Sequence, residues 1–176
     1  MSYAIPSKSG ARSAILVFSL VPLLSLSGCL SSSSSSRSAP QVHTGTFVDS
    51  PVAGLDYQGS QTDAGQTDEQ GQFSYREGET ISFAIGDLEL GSAVGANILT
   101  PLSITPEADS ADDQRVVNML ILLQSLDADG DLNNGIQISE AIREHVSLNA
   151  DSIYFDQPSA DFRASLATLV DELQQA

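Results

Sequence analysis

The segment from Val116 to Glu140 joins an apolar run directly to a run of acidic and amide side chains. Up to Leu126 the apolar residues recur at spacings of three and four on more than one face, which predicts a helix that is apolar nearly all round. Such a helix has to be buried. From Asp127 onward, carboxylates and amides alternate in a short loop, and oxygen atoms are the ligands that a hard cation prefers. The segment therefore predicts a small domain built around one central helix.

The N-terminal region has the pattern of a secretory signal peptide. Two basic residues precede a mostly apolar run from 14 to 26, which is too short to span a bilayer. Leu26-Ser27-Gly28-Cys29 follows directly and resembles the lipobox of bacterial lipoproteins. In that family the preceding segment is removed and the cysteine thiol carries a diacylglycerol. The resemblance implies a signal peptide over residues 1–28 and a lipid anchor on Cys29.

The residues after Cys29 predict an address and a tether. Leu30 follows the cysteine, and by resemblance to enterobacterial sorting the absence of Asp there favours the outer membrane over the inner one. Because lipoproteins carry two or three acyl chains, such an anchor would be stable. The serine-rich stretch that completes residues 29–41 cannot bury apolar area, so it predicts a flexible tether. Whether the folded part faces the periplasm or the cell surface stays open.

Charge limits the partners of the protein. The 176 residues include 23 acidic and 7 basic side chains. Since Lys8 and Arg12 precede Cys29, the mature chain would have a formal net charge of −18. This excess argues against nucleic acid or anionic lipid as a partner of the folded part. It fits general solubility or a saline habitat, and it also fits the binding of divalent cations by some of the carboxylates.

Short runs of alternating apolar and polar residues, separated by turn residues, occupy residues 42–103. This spacing predicts a small antiparallel β-sandwich. Aromatic residues supply most of the large side chains of these runs, so we expect them in its core. The expected strands are 45–48, 55–57, 72–75, 80–85, 88–90 and 98–100, and the expected core aromatics are Phe47, Tyr57, Phe73, Tyr75 and Phe83.

The turns between these strands form a second pattern. Pro51 pre-sets a turn, Gly54 allows a tight re-entry of the chain, and Asp68 and Gly71 suit the turn that leads to Phe73. The pattern resembles the carboxypeptidase-regulatory-like, prealbumin-type modules of surface and periplasmic proteins. That resemblance implies binding or spacing, and it does not imply catalysis. It rests on Gly45-Thr-Phe-Val-Asp-Ser-Pro51-Val-Ala-Gly54-Leu-Asp-Tyr57 and on Thr67-Asp68-Glu-Gln-Gly71-Gln-Phe73-Ser-Tyr75.

Residues 104–176 are predicted to form a helical subdomain, which makes the fold class α+β. A connector with two prolines and several acids leads into a helix over about 113–126, for which Ser110 or Asp112 is the expected N-cap. A short helix over 139–146 and an amphipathic helix over 162–173 follow. We expect three helices after the sheets.

One register aligns the acidic loop with an EF-hand. A start at Asp129 places Glu140 at position 12, where a bidentate ligand is needed, and Asn134 where the turn glycine stands. Asn tolerates positive φ better than most side chains do, so the substitution weakens the match without excluding it. The alternative is a solvent-exposed turn whose polar side chains cap two helices. The candidate calcium ligands are Asp129, Asp131, Asn133 and Glu140, with Asp127 as a further candidate.

Signals for an enzyme are poor. His43 and His145 are the only histidines, and no G-x-S-x-G elbow or glycine-rich phosphate loop is present. Glu77 and Glu79 form a close acid pair, but they lie in a predicted turn, where we expect them to face solvent. The segment from Leu122 through the acidic loop is similar to a sequence segment that recurs in uncharacterised lipoproteins and adhesin-like proteins of Gram-negative bacteria.

We therefore expect a non-enzymatic binding, adhesion or spacer module with a protein or glycan ligand. The alternative is a small anchored envelope hydrolase or an accessory factor of envelope assembly. The oligomeric state is open.

Overall fold

Alternating burial explains why the N-terminal half of the folded part forms sheets. In strand β6 (Thr80–Ile85), Ile81, Phe83 and Ile85 are completely buried, and Ser82 and Ala84 between them are partly exposed. This is the period of two that a strand with one face on a core requires. The alternation of apolar and polar or small residues in this segment thus matches the alternation of buried and partly exposed side chains in β6.

The computed structural model describes residues 41–127, 130–131 and 133–173. They belong to one compact unit, residues 37–176. Strands and helices both occur in it, so the fold is mixed α+β, as predicted. The strands within the described residues are β1 (Val42–Phe47), β2 (Val52–Ala53), β3 (Asp56–Gly59), β4 (Gly65–Gln66), β5 (Gln72–Arg76), β6 (Thr80–Ile85), β7 (Leu88–Val94), β8 (Ile98–Leu99) and β9 (Ile136–Gln137).

These strands form three sheets. One has the order β5-β1-β8, a second has the order β4-β3-β6-β7, and the third is the pair β2-β9. The hairpin-like pairs are antiparallel, as expected, but β1 pairs with β8 and β2 pairs with β9 in parallel. The prediction that all strands pair in antiparallel fashion was therefore wrong. Strands β2, β4 and β9 have only two residues each, which is too short for a periodic signal.

Aromatic side chains from two sheets meet in the core. Phe47 of β1 lies 4.9 Å from Phe83 of β6 between ring centroids, and Phe73 of β5 meets the same ring edge to face at 5.1 Å. Tyr75 is also buried, and Tyr57 packs against this cluster from a half-buried position. The five aromatics expected in the core are therefore all in it or against it.

The helices differ from the prediction in number and in their starting points. The described residues contain four α-helices and one 3₁₀ turn, where three helices were expected. The additional α-helix lies in the predicted connector, where Thr100 caps it and Pro101 occupies its first turn. The helices are α1 (Pro101–Ile104), α2 (Gln114–Ser125), α3 (Glu140–Asn149) and α4 (Ser159–Leu173), with the 3₁₀ turn at Ala150–Ser152.

Helix α2 is the buried central helix. Its N-cap is Asp113, whose carboxylate accepts a hydrogen bond from the Arg115 backbone amide at 2.9 Å. The expected N-caps, Ser110 or Asp112, were therefore wrong, since they lie three residues and one residue before the observed cap. Arg115 also donates its side chain to this carboxylate, and these bonds lower the pKa of Asp113. Each fully buried Leu or Ile of such a helix contributes about 1.5–3 kcal/mol to the free energy of unfolding. The buried residues of α2 are Val116, Asn118, Met119, Ile121, Leu122 and Leu123.

Sheet and helix residues share one hydrophobic core. Leu122 and Met119 of α2 belong to the same buried cluster as Phe47 and Phe83, and Phe162 of α4 joins it too. Within the described ranges, none of the helices has both the length and the apolar character needed to cross a membrane.

Asn118 is a completely buried polar residue on the central helix. Its Nδ2 donates to the carbonyl oxygens of Phe155 and Gln157 at 2.8 and 2.7 Å. These two bonds hold the segment between α3 and α4 against α2. A side chain at this position thus fixes the entry of the chain into α4.

We expect Asn118→Ala to lower the free energy of unfolding by about 1–3 kcal/mol, because two carbonyl groups lose a partner close to the core. Urea denaturation would measure the change. Gln114→Ala is the control on the exposed start of the same helix, where we expect a change within about 0.5 kcal/mol. Equal effects of the two substitutions would contradict the structural role of Asn118.

Candidate functional site

The acidic loop connects the end of α2 to the start of α3. Helix α2 ends at Ser125, with Leu126 as its C-cap, and Ser139 caps α3 by accepting a hydrogen bond from the Ile142 amide at 3.3 Å. Helices thus flank the loop on both sides, and α2 ends before Asp129, the first position of the alignment. The loop itself is tied back to the sheets between these two caps.

Strand β9 fastens the second half of the loop to β2. The Ile136 amide donates to the Pro51 carbonyl at 2.9 Å, and the Ile138 amide donates to the Ala53 carbonyl at 3.0 Å. Gly135 precedes this pairing with φ +84°, and its Cα lies directly against the Pro51 backbone, so a side chain would not fit there. Ile136 and Ile138 are therefore anchored in the core, and Asp131, Asn133 and Asn134 are exposed.

Asp127 and Asp131 have different roles in the loop. Asp127 Oδ1 accepts a hydrogen bond from the Gln137 amide at 3.0 Å, which closes the loop at its base. Asp131 Oδ1 accepts from the backbone and side-chain amides of Asn133 at 3.0 and 2.7 Å. These two bonds lower the pKa of the Asp131 carboxyl, so it stays ionised in more acidic solution than an ordinary aspartate does.

Glu140 is paired with Arg143. Arg143 is buried and bridges three groups: it forms an ion pair with Glu140, its Nη2 donates to the Gly54 carbonyl at 3.1 Å, and its Nε lies 3.2 Å from Asp56 Oδ2. The last contact is an ion pair whose angles do not make a hydrogen bond. Asp56 also accepts from the Gly86 amide at 2.8 Å. Arg143 thus links the start of α3 to the turn between β2 and β3 at Gly54 and to Asp56, the first residue of β3.

The predicted ligands are only partly brought together. Asp131 and Asn133 are in direct contact, whereas Asp127 faces Gln137 and Glu140 faces Arg143. Among the described residues, no three His, Cys, Asp or Glu side chains are grouped closely enough to hold a metal ion. Asp129, the first position of the alignment, lies outside the described residues, and so does the lipidation candidate Cys29.

The backbone at the sixth loop position does not have the expected conformation. Glu107 is the one non-glycine residue with positive φ in the described part of the chain, so Asn134 does not adopt the left-handed conformation of an EF-hand glycine. Gly135, the next residue, does. The described positive-φ positions of this loop are therefore Gly130 and Gly135, and neither is the sixth position of the alignment.

Sequence reasoning missed Asp49 as a neighbour of the loop. The Gln124 side chain lies 3.4 Å from Asp49 Oδ2, and Asp49 and Asp127 line a cavity of about 290 Å³ together with Gly135 and Ile136. In the sequence Asp49 is part of a turn and is separated from Asp127 by most of the domain. Only the β2-β9 pairing brings the two carboxylates to one cavity.

His145 is the histidine that a hydrolase site would use. Its Nε2 lies 3.5 Å from Glu172 Oε2 on α4, and its side chain is mostly buried. The nearby cavity of about 240 Å³ is lined by Ser152 and Ser165 among others, but their hydroxyls donate to the carbonyls of Asn149 and Asp161. Within the described ranges, neither of these serines is hydrogen-bonded to His145.

Comparison of the chain with protein-family models, with curated proteins and with solved structures finds no match. Function is therefore inferred from the residues and geometry of this chain alone.

Arg143 gives a test of how the loop is held. We expect Arg143→Met, which keeps the apolar stem, to lower the free energy of unfolding by about 1–3 kcal/mol, because it removes three contacts of a buried cation while Asp56 stays partly hydrated. Chemical denaturation would measure the loss. Arg163→Met on the exposed side of α4 should change stability by at most about 0.5 kcal/mol. Matching stabilities of the two variants would show that the Arg143 bridge is dispensable.

Proposed function

We propose that this protein is an outer-membrane lipoprotein in which a folded module, carried on a tether from Cys29, acts in binding, adhesion or spacing. The observation that carries the proposal is Leu26-Ser27-Gly28-Cys29 at the end of a short apolar run that follows two basic residues. The described fold is consistent with this arrangement, since its first strand begins at Val42, immediately after the serine-rich segment.

The folded module is a β-sandwich of the carboxypeptidase-regulatory-like kind with helices added to it. Contacts of Phe47 and Phe73 with Phe83 across two sheets support the sandwich. Gly54 and Gly71 both have positive φ, at +82° and +71°, as the turn pattern requires. Asp68 Oδ1 accepts from the amides of Gln70 and Gln72, and this is the turn chemistry that delivers Phe73 to the core.

The surroundings of the candidate catalytic groups support a non-enzymatic role. His145 faces Glu172, and the hydroxyls of Ser152 and Ser165 donate to backbone carbonyls. Before His145 could activate either serine as a nucleophile, that serine would have to give up its present hydrogen bond. The acidic surface suits a neutral or cationic protein partner or a glycan better than an anionic one.

The anchor can be tested by fractionation. We expect Cys29→Ala to move the protein from the membrane fraction to the soluble envelope fraction, because the acyl chains supply the membrane affinity. Incorporation of radioactive palmitate should disappear in the same variant. Ser32→Ala, in the tether, is the control and should fractionate and label as wild type. Retention of Cys29→Ala in the membrane fraction would overturn the lipoprotein proposal.

Calcium binding by the acidic loop is a second part of the proposal. Asp131 and Glu140 are the described carboxylates of the alignment, and Glu140 would have to exchange Arg143 for the cation. The Glu140 side chain is 75% exposed, so a cation can reach it from solvent, whereas Arg143 is buried. After the exchange Arg143 would keep Asp56 and the Gly54 carbonyl as partners. The buried guanidinium would therefore not be left without a counter-charge.

For a dissociation constant of about 10 μM, calcium at about 1 mM should stabilise the fold by about 2.7 kcal/mol. In a chain of this size the melting temperature would rise by about 5–10 °C. Glu140→Gln should abolish most of this rise, because it removes the bidentate ligand. The rise in melting temperature is measured within each variant, with and without calcium. The effect of losing the ion pair with Arg143 is present in both measurements and therefore cancels.

Glu144→Gln is the matched control, since Glu144 is exposed on the same helix and lies outside the alignment. It should keep the full calcium response. The calcium proposal fails if calcium raises the melting temperatures of wild type and Glu140→Gln equally. It also fails if calcium raises neither of them, and in both cases the loop is a capped turn.

A further inference from the structure

Glu79 is a buried carboxylate in a position where the sequence indicated a solvent-facing turn. It lies between β5 and β6 and is only 1% exposed. Its expected exposure beside Glu77 was therefore wrong. Because a charged group is costly to bury without partners, the surroundings of this side chain need an explanation.

Four hydrogen-bond donors converge on the Glu79 carboxylate. Oε2 accepts from the backbone amides of Gln61 and Thr62 at 2.7 and 3.0 Å. Oε1 accepts from the Thr62 hydroxyl at 2.5 Å and from the Arg76 backbone amide. Three of these donors belong to the loop between β3 and β4. The carboxylate therefore joins that loop to the β5-β6 turn.

Within the described part of the chain, no cationic side chain forms an ion pair with this carboxylate. The charged residues on the two segments that pack against Glu79 are Asp63, Arg76 and Glu77, and among these Arg76 reaches the carboxylate through its backbone amide alone. None of the ion pairs formed by the described residues includes Glu79. Burial opposes ionisation of the group, but the bonds from Thr62, Arg76 and Gln61 outweigh it and leave the pKa below the ordinary value.

The surrounding backbone is built around the same side chain. The Glu79 carbonyl accepts from the Gly95 amide at 2.8 Å, and the Ser60 amide donates to the Thr80 carbonyl at 3.1 Å. Gly59 approaches the carboxylate so closely that a Cβ there would lie 2.7 Å from Oε2. The loop after Gly59 is thus held by Glu79, by the Ser60 backbone bond and by the Gln58 side chain, which donates to the Thr62 carbonyl at 3.3 Å.

We propose that Glu79 is an acid-sensitive latch, which holds the loop of residues 60–63 on the sheet while it is ionised and releases this loop when it is protonated. Three of the four partners are backbone N–H groups, which cannot accept the O–H of a protonated carboxyl, and only the Thr62 hydroxyl could do so. The bonds to a neutral acid are also weaker than those to a carboxylate. Release would uncover the edge of the β3-β6 pair near Gly59 and change the surface that a ligand meets.

The amides that donate to Glu79 report directly on the latch. In the purified folded domain, hydrogen exchange at Gln61, Thr62 and Arg76 should become at least about tenfold faster, after correction for intrinsic rates, as the pH falls through the Glu79 pKa, because bonds to a charged group are lost. The pKa of Glu79 is depressed in the folded protein. Its contribution to stability is therefore complete above the ordinary pKa of 4.5 and is lost as the pH falls below 4.5 and through the lower folded-state pKa. The Phe83 amide in β6 should stay protected in the same pH range.

Three variants separate the latch from general acid denaturation. Glu79→Gln should show fast exchange at the loop amides already at neutral pH, with no further step on acidification. Glu77→Gln, two residues away and exposed, should behave as wild type. Thr62→Val removes only the hydroxyl donor, so it should move the midpoint of the wild-type step to higher pH.

The proposal fails if the loop amides lose protection only together with Phe83, since Glu79 would then act on global stability alone. It also fails if Glu79→Gln keeps the acid step. Where the Glu79 variant does not fold, Thr62→Val decides, and an unchanged midpoint in that variant overturns the latch.

Discussion

Burial of α2 is the interaction on which the other contacts of this domain depend. The only cysteine of the chain is the proposed lipid site, so no disulfide is left to hold the fold together. Leu122 and Met119 belong to the same core as Phe83, so the helix connects the sheets to α4. The helix therefore fixes the positions of its two cap residues, Asp113 and Leu126, relative to this core.

Polar groups with full or nearly full burial determine how the remaining segments attach to this core. Asn118 orients the chain before α4, Arg143 orients the start of α3, and Glu79 orients the loop after β3. Asn118 and Glu79 bind mainly to backbone groups of these segments, and Arg143 binds two carboxylates and one backbone carbonyl. A polar residue of this type specifies one arrangement of a loop where apolar packing would accept several.

The sequence predicted those parts of the fold that depend on local pattern. The limits of β6 and the core position of Phe83 follow from alternation, and the limits of α2 follow from apolar spacing next to an acidic loop. The pairing of β2 with β9 could not be predicted, since two-residue strands carry no period and depend on tertiary contact. Glu79 was misread for a related reason: its donors, Gln61 and Thr62, belong to a distant turn. The proximity of Asp49 to Asp127 depends on the same long-range pairing.

The parallel pairing of β2 with β9 also has a consequence for how the chain folds. Val52 meets Ile136 more than eighty positions later, whereas β6 and β7 are joined by a tight turn. Closing a long loop costs more chain entropy than closing a short one, so contacts of high sequence separation slow folding. The hairpins and α2 are therefore expected to form first and the β2-β9 pair last. The acidic loop would reach its final conformation only in this last step, when the rest of the domain already provides its base.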